Sequence, residues 1–214
     1  MTKISNYIKK EDIIYDKDIN FQVMMEWEKP YMKKLINNLK PRGDVLEIGF
    51  GFGFSADEIQ KYNIKSHTII EPILFKEAKK WASKQKQKVI IVKGYWQEVL
   101  KKLDTFDTIF FDDAPSKRYR DKTNTRVYKF IYQVLKNHVN KNTKMSWYLD
   151  ESIYWLCPPQ TNYNIKSFKI KPPLHCKYYQ GDTMYLPLLK FNEGKSKSNL
   201  IELALDDNLM LQKI

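Results

Sequence analysis

The stretch Val45-Leu-Glu-Ile-Gly49-Phe-Gly51-Phe-Gly53 constrains the fold of this chain more than any other. A short apolar run passes straight into three glycines at alternate positions, out of only 7 in 214 residues, and then into a helical pattern. A strand that turns through glycine into a helix opens a βαβ unit, because glycine allows a tight turn and close backbone approach. The alternation continues downstream. Apolar runs bounded by polar residues predict buried strands at Val45–Gly49, His67–Glu71, Val89–Lys93 and Asp107–Asp112, with helices at Phe54–Tyr62, Ile73–Ser83 and Trp96–Leu103 between them. A longer helix over Asn124–Asn137 places Val127, Phe130, Ile131, Val134 and Leu135 on one face, and further strands are expected at Lys144–Leu149, Ile165–Ile170 and Met184–Phe191. Ahead of the first strand, Met24–Leu39 reads as a helix whose regular part begins at Lys29, since Pro30 suits a first turn. The pattern predicts an α/β, Rossmann-like fold: a mostly parallel central sheet with helices on both faces.

Residues 1–192 are expected to form one domain with an N-terminal lid or helix segment. The stretch Asn192–Asn199 (NEGKSKSN) reads as a linker, so 193–214 becomes linker and tail, with a short helix within Leu200–Ile214. No apolar run approaches the ~20 residues of a membrane helix. Met1–Lys10 lacks the apolar stretch of a secretion signal, so a cytoplasmic protein is expected. Cys157 and Cys176 make no metal or disulfide pattern, and His67, His138 and His175 have no ligand spacing, so no metal is expected.

The glycine spacing bears on what the loop holds. A dinucleotide fingerprint, Gly-x-Gly-x-x-Gly, would need its third glycine at 54, where Phe54 stands. Here the pattern is Glu47-x-Gly49-x-Gly51-x-Gly53, a poorer cradle for a pyrophosphate and better suited to S-adenosylmethionine, which presents a small carboxylate and a sulfonium. Glu71 ends the second strand, where a carboxylate can accept both hydroxyls of a ribose. A nicotinamide enzyme would share that acid, so the glycine spacing carries the distinction. At the third junction Trp96 is placed to flank an adenine or to pack in the core, and the Gln97 amide could accept from the exocyclic amine.

Five blocks in order then match a known family. Met24-Met-Glu-Trp-Glu28-Lys-Pro-Tyr-Met32, Val45-Leu-Glu-Ile-Gly-Phe-Gly51, Lys93-Gly-Tyr-Trp-Gln97, Phe110-Phe-Asp112-Asp-Ala-Pro115 and Cys176-Lys-Tyr-Tyr179 resemble guanidinoacetate N-methyltransferase and its relatives, among them protein arginine δ-N-methyltransferase. The resemblance implies a class I S-adenosylmethionine-dependent methyltransferase with Glu28 and Asp112 at the two guanidine-binding positions. It also implies that Met24, Met32, Glu47, Gly49, Phe50, Gly51, Gly53, Glu71, Pro72, Trp96 and Gln97 line the cofactor site. Carboxylates are the chemistry a planar cationic guanidinium requires, because they accept paired hydrogen bonds. Localising charge on two nitrogens leaves the third more nucleophilic, and Asp112 is the expected proton acceptor.

The expected activity is methyl transfer to a guanidino nitrogen of a small guanidino compound, with arginine within a protein as the alternative acceptor. The chain departs from the family's pattern at three places, of which the shortened stretch bears most on that choice and the Gln97 change least, since an amide still accepts a hydrogen bond. Gln97 stands where relatives often have Glu, Asp113 stands where the family tends to have Thr, and the Lys144–Cys176 stretch is much shorter. A formal charge of +12 raises nucleic acid as a partner. Of 37 basic residues, however, only Arg42, Arg118, Arg120 and Arg126 are arginine, the side chain best suited to reading bases. Asp112-Asp-Ala-Pro115 is also a weak fit to the Asn/Asp-Pro-Pro-aromatic signature of base-flipping methyltransferases. The cationic excess falls after residue 60 and reads mainly as solvated exterior, with the loop Lys117–Lys122 left as a partner-binding candidate. A scaffold that kept the fold without catalysis is a further alternative; loss of Glu28, Asp112 or a loop glycine would have favoured it, and all are present.

Overall fold

The computed structural model describes residues 7–115, 123–151 and 161–192. The Lys117–Lys122 loop, Cys157 and the 193–214 linker and tail lie outside the described residues. The chain opens with a small antiparallel sheet, β1 (Tyr7–Lys10), β2 (Ile13–Asp16) and β3 (Phe21–Met25). A 3-10 turn at Glu26–Glu28 leads into α1 (Lys29–Leu39). Helix α1 thus starts at Lys29 with Pro30 in its first turn, while Met24 and Met25 belong to β3 rather than to a helix. The extended backbone here is fixed by pairing with β2, a contact that local periodicity cannot report.

The main sheet has seven strands. In chain order they are β4 (Gly43–Ile48), β5 (Ile64–Ile70), β6 (Val89–Val92), β7 (Phe106–Phe111), β8 (Val139–Trp147), β9 (Thr161–Lys169) and β10 (Thr183–Phe191). Helices α2 (Phe54–Ile59), α3 (Phe75–Ala82), α4 (Trp96–Val99) and α5 (Thr123–Asn137) intervene. Their spatial order is β6-β5-β4-β7-β8-β10-β9. The pairs from β6 to β8 are parallel, and β10 runs antiparallel between β8 and β9.

Both faces of the parallel part are covered, as the apolar runs predict. Alternation decides which residue faces where: Leu46, Ile48, Ile109 and Phe111 pack against α5, whereas Val45 and Phe110 pack with the inner face of α1, Tyr31, Met32, Leu35 and Ile36. Each such fully buried apolar side chain contributes ~1.5–3 kcal/mol. Tyr31 also bridges elements through its hydroxyl, which donates to Tyr185 O (2.6 Å) and accepts from Leu149 N–H (3.1 Å). The strand order reverses direction at β4, so the carboxyl ends of β4 and β7 diverge into helices on opposite faces and leave a crevice between them.

Candidate active site

The crevice is levelled by hydrogen bonds that run one residue past the strands. Gly49 N–H donates to Ile70 O (3.0 Å), Glu71 N–H to Val92 O (3.0 Å) and Asp112 N–H to Ile48 O (2.9 Å). The ends of β4, β5, β6 and β7 therefore present Gly49, Glu71 and Asp112 along one edge. Gly49 has φ +86, and a Cβ there would lie 2.2 Å from the Asp112 carbonyl oxygen, so only glycine lets these two strand ends meet. Gly51 has φ +54 and faces Met24 of β3, whose sulfur would sit 2.5 Å from a Cβ. Met24 Sδ also accepts from Phe52 N–H at 3.4 Å.

Glu71 organises the adjacent turn. Its Oε2 accepts from Phe50 N–H (2.9 Å), and its Oε1 accepts from Ile73 and Leu74 N–H (2.7 and 2.8 Å). Burial raises its pKa, opposed by these three amides. Around it lies a cleft of about 630 Å³, lined by Tyr7, Met24, Gly49, Phe50, Gly51, Glu71, Pro72, Tyr95, Trp96, Asp112 and Asp113 with neighbouring apolar residues.

A second cleft of about 1130 Å³ adjoins the first and shares Val23, Met24, Asp112, Asp113 and Ala114 with it. Its walls bring Glu28 and Asp112 together with Tyr148, Asp150, Tyr178 and Arg126. Glu28 is buried in the 3-10 turn, and its Oε1 accepts from Met25 N–H (2.9 Å) and from the Tyr178 hydroxyl (2.5 Å). Burial pushes its carboxyl up to about 7, against the opposing pull of those two donors. Asp112 is raised well above the usual carboxylate range, first by burial and then by the charges of Glu28, Glu47 and Asp113. Two acids facing one empty space resist joint ionisation, and a bound cation would relieve them.

Asp113 is engaged elsewhere. Trp96 Nε1–H donates to its Oδ2 (2.9 Å), Arg126 Nε lies 3.4 Å from the same oxygen, and Arg126 Nη2 donates to its backbone carbonyl (2.7 Å). Arg126 is buried on α5 and clamps the turn that carries Asp112. Trp96 does reach the cleft wall, but its ring is buried edge-on against Phe111 and Phe130.

Four residues expected to line the cofactor site are placed off the cleft wall. The Glu47 carboxylate is fully buried beneath α2, where it accepts from Ser55 Oγ and lies 2.8 Å from His67 Nε2. The cause is strand alternation, which turns Glu47 away from its neighbours Leu46 and Ile48. Met32 packs in the core on the inner face of α1. Gly53 caps α2 against the Phe50 ring rather than the cleft. Gln97 lies one residue beyond Trp96, its Oε1 buried and without a hydrogen-bond partner among the described residues. Conversely, Tyr7, Tyr148, Asp150 and Tyr178 line the two clefts without having been singled out as site residues in the sequence. The Cys176–Tyr179 block was the one signal for Tyr178. No group of His, Cys, Asp and Glu able to hold a metal occurs among the described residues.

The comparisons with known proteins bear on this arrangement. The family model described as guanidinoacetate N-methyltransferase matches residues 10–152. The chain belongs to that family. The matched span of this guanidinoacetate N-methyltransferase family member contains β2 through β8, the glycine loop, Glu28 and Asp112. Protein arginine N-methyltransferase 2 of Candida glabrata is 34% identical over 149 residues, covering 64% of this chain and 35% of that protein. Its namesake in Aspergillus fumigatus is 27% identical over 209 residues, covering 87% of this chain and 49% of that protein. The chain thus spans about a third to a half of the length of these curated relatives. M. jannaschii TYW2 in complex with AdoMet shares the fold, with TM-score 0.54 at 13% identity over 91% of this chain and 88% of that one. An O-methyltransferase from Bacillus cereus in complex with SAH has TM-score 0.52 at 12% identity over 79% of this chain and 82% of that one. The family member therefore has the Rossmann-like fold of class I methyltransferases. No helix among its described residues is long and apolar enough to cross a membrane.

Proposed function

We propose that this chain transfers a methyl group from S-adenosylmethionine to a guanidino nitrogen of arginine within a protein. The observation that carries the choice of acceptor is the charge inventory of the larger cleft. Its described lining holds four carboxylates, Glu28, Asp112, Asp113 and Asp150, and one cation, Arg126, which is engaged with Asp113. A small guanidino acid brings a carboxylate that this lining would repel, whereas an arginine side chain entering from a peptide brings only its cation. The names of the relatives point the same way. The small guanidino compound expected from the sequence is therefore the less favoured acceptor.

The smaller cleft fits the cofactor on its own terms. Gly49, Phe50 and Gly51 put the loop on the wall of this cleft, and Glu71 Oε2 accepts one bond in the structure, leaving capacity for a ribose hydroxyl. Bound there, S-adenosylmethionine supplies a methyl group on a sulfonium, an electrophile that needs no acid assistance.

The chain's own residues do the rest. Glu28 and Asp112 bind the guanidinium from two sides, holding positive charge on the nitrogens they face and freeing electron density on the third. Asp112 belongs to both clefts, so it stands beside the junction where acceptor and methyl must meet. As the nitrogen is alkylated it loses a proton, and Asp112 takes it. The buried setting that raises Asp112 suits a carboxylate that must hold that proton transiently.

The deciding experiment offers methyl-labelled S-adenosylmethionine with arginine peptides, guanidino acids and RNA in parallel. Label is expected in peptide and recovered as methylarginine after hydrolysis. Label in a guanidino acid with none in any peptide would replace this reading with the small-molecule one.

A further inference from the structure

We infer that Tyr178 is a positioning residue for the guanidine-binding carboxylate: its hydroxyl fixes Glu28 in one orientation and leaves the second oxygen for the substrate cation. The inference rests on the proposed guanidino acceptor for the identity of that cation. Three observations carry it. Glu28 Oε1 takes both protein donors, the Tyr178 hydroxyl at 2.5 Å and Met25 N–H at 2.9 Å. Among the described residues Oε2 has no hydrogen bond, and Glu28 lines the larger cleft, so the free oxygen is the one available to a ligand. The two partners lie 150 residues apart, so the bond exists only because tertiary structure places it.

Tyr178 is itself held firmly. Its ring stacks on Trp27, the neighbour of Glu28, at 6.3 Å between centroids and 26° between planes. Ahead of it, Lys177 N–H donates to Gln22 Oε1 (2.6 Å), and Gln22 Nε2 donates to His175 O (3.0 Å), which ties the segment to β3. Behind it, the Tyr179 hydroxyl donates to Thr183 O (2.7 Å) and accepts from Thr183 N–H (2.8 Å) at the start of β10. A tyrosine serving only as packing has no need to aim its hydroxyl at a buried carboxylate. Donating to the ionised form is what such a carboxylate needs, because that bond favours the charged state that binds a cation.

The groups facing Glu28 are Tyr31 from α1, Tyr148 and Asp150 beyond β8, Asp112 beyond β7 and Tyr178 itself. Of these, only Tyr178 donates a hydrogen bond to its carboxylate. Removing that donor should therefore raise the pH at which Glu28 ionises.

The test uses the full chain carrying Tyr178→Phe, with calorimetric binding of methylguanidine in the presence of S-adenosylhomocysteine measured across neutral pH. The midpoint of the affinity profile is expected to move up by about one pH unit, giving about tenfold weaker binding on its acid side and little change well above it. Tyr179→Phe, which alters the same segment without touching Glu28, should leave the midpoint in place. A Tyr178→Phe profile that keeps its midpoint, whether lowered uniformly or not at all, overturns the inference. If Phe at 178 prevents folding, 3-fluorotyrosine at that position keeps the shape and strengthens the donor. The midpoint should then move down, and no movement overturns the inference. If the wild type binds no methylguanidine at any pH, the guanidino reading fails. The carbon-13 titration of Glu28 then decides on Tyr178, an upward shift in the Phe variant supporting its role and an unmoved titration overturning it.

Discussion

At the scale of single residues, the two cleft carboxylates are placed against stability. Glu28 has its carboxyl raised to about 7 by burial, from an ordinary value of 4.5. Its folded value exceeds its unfolded one, so the folded state binds the extra proton between these two values. Stability is therefore lost as pH rises through that window. Glu28→Gln removes the penalty. Above pH ~8 it should be more stable than the wild type by up to ~3 kcal/mol, with the gap closing toward pH ~4, as denaturant titrations at both values would show. The same variant should lose guanidinium binding. Asp112→Asn is expected to keep cofactor affinity in calorimetry while turnover falls ~10²-fold or more. Equal losses in both measurements would make Asp112 a cofactor residue instead. Glu28 and Asp112 stand out in the sequence because each sits in a motif block, and Glu71 because it ends a predicted strand. Tyr178 was not legible as the partner of Glu28, since nothing local marks a contact made across 150 residues. Glu47 misled for the opposite reason. Its spacing to the glycines is conspicuous, yet strand alternation sends its carboxylate to Ser55 and His67.

At the scale of elements, the turn from β4 to α2 is the least replaceable piece. Gly49→Ala would place a methyl against the Asp112 backbone and adopt a positive φ, a strain of ~1–2 kcal/mol before the clash is counted. Loss of cofactor binding together with a marked drop in denaturation midpoint is expected. Gly51→Ala meets only the movable end of Met24, so a smaller stability loss is expected with a comparable loss of cofactor affinity. Measuring both variants side by side separates crowding of the backbone from crowding of the Met24 side chain. The parallel strands were readable here because they are buried on both faces and so carry unbroken apolar runs. Strands β1 to β3 were not: at four or five residues each they are too short to show a period, and they hold their shape by pairing with one another. That small sheet supplies Tyr7 and Met24 to the smaller cleft, so the part of the candidate site it builds was only partly visible.

At the scale of the whole molecule, two clefts share one wall made of β3 and the turn after β7. Such a wall lets occupancy of one side bear on the other, and the tightest amide protection is expected at its foundations. Hydrogen exchange should be slowest in β4, β5 and β7, which have neighbours on both sides, and fastest along β9, whose exposed residues alternate at the edge of the sheet. Uniform exchange across the sheet would contradict the stated layering. The placement of β10 between β8 and β9 has one more consequence, which concerns synthesis. Among the described residues Thr161–Lys169 pairs only with Thr183–Phe191, so it must wait until that strand is made to sit between it and β8. Tyr178 emerges in that same interval. The glycine loop, Glu71 and Asp112 are thus synthesised before the Tyr178 segment that bonds Glu28, so on the proposed reading the last contact to shape the acceptor side is also the last of these to be made.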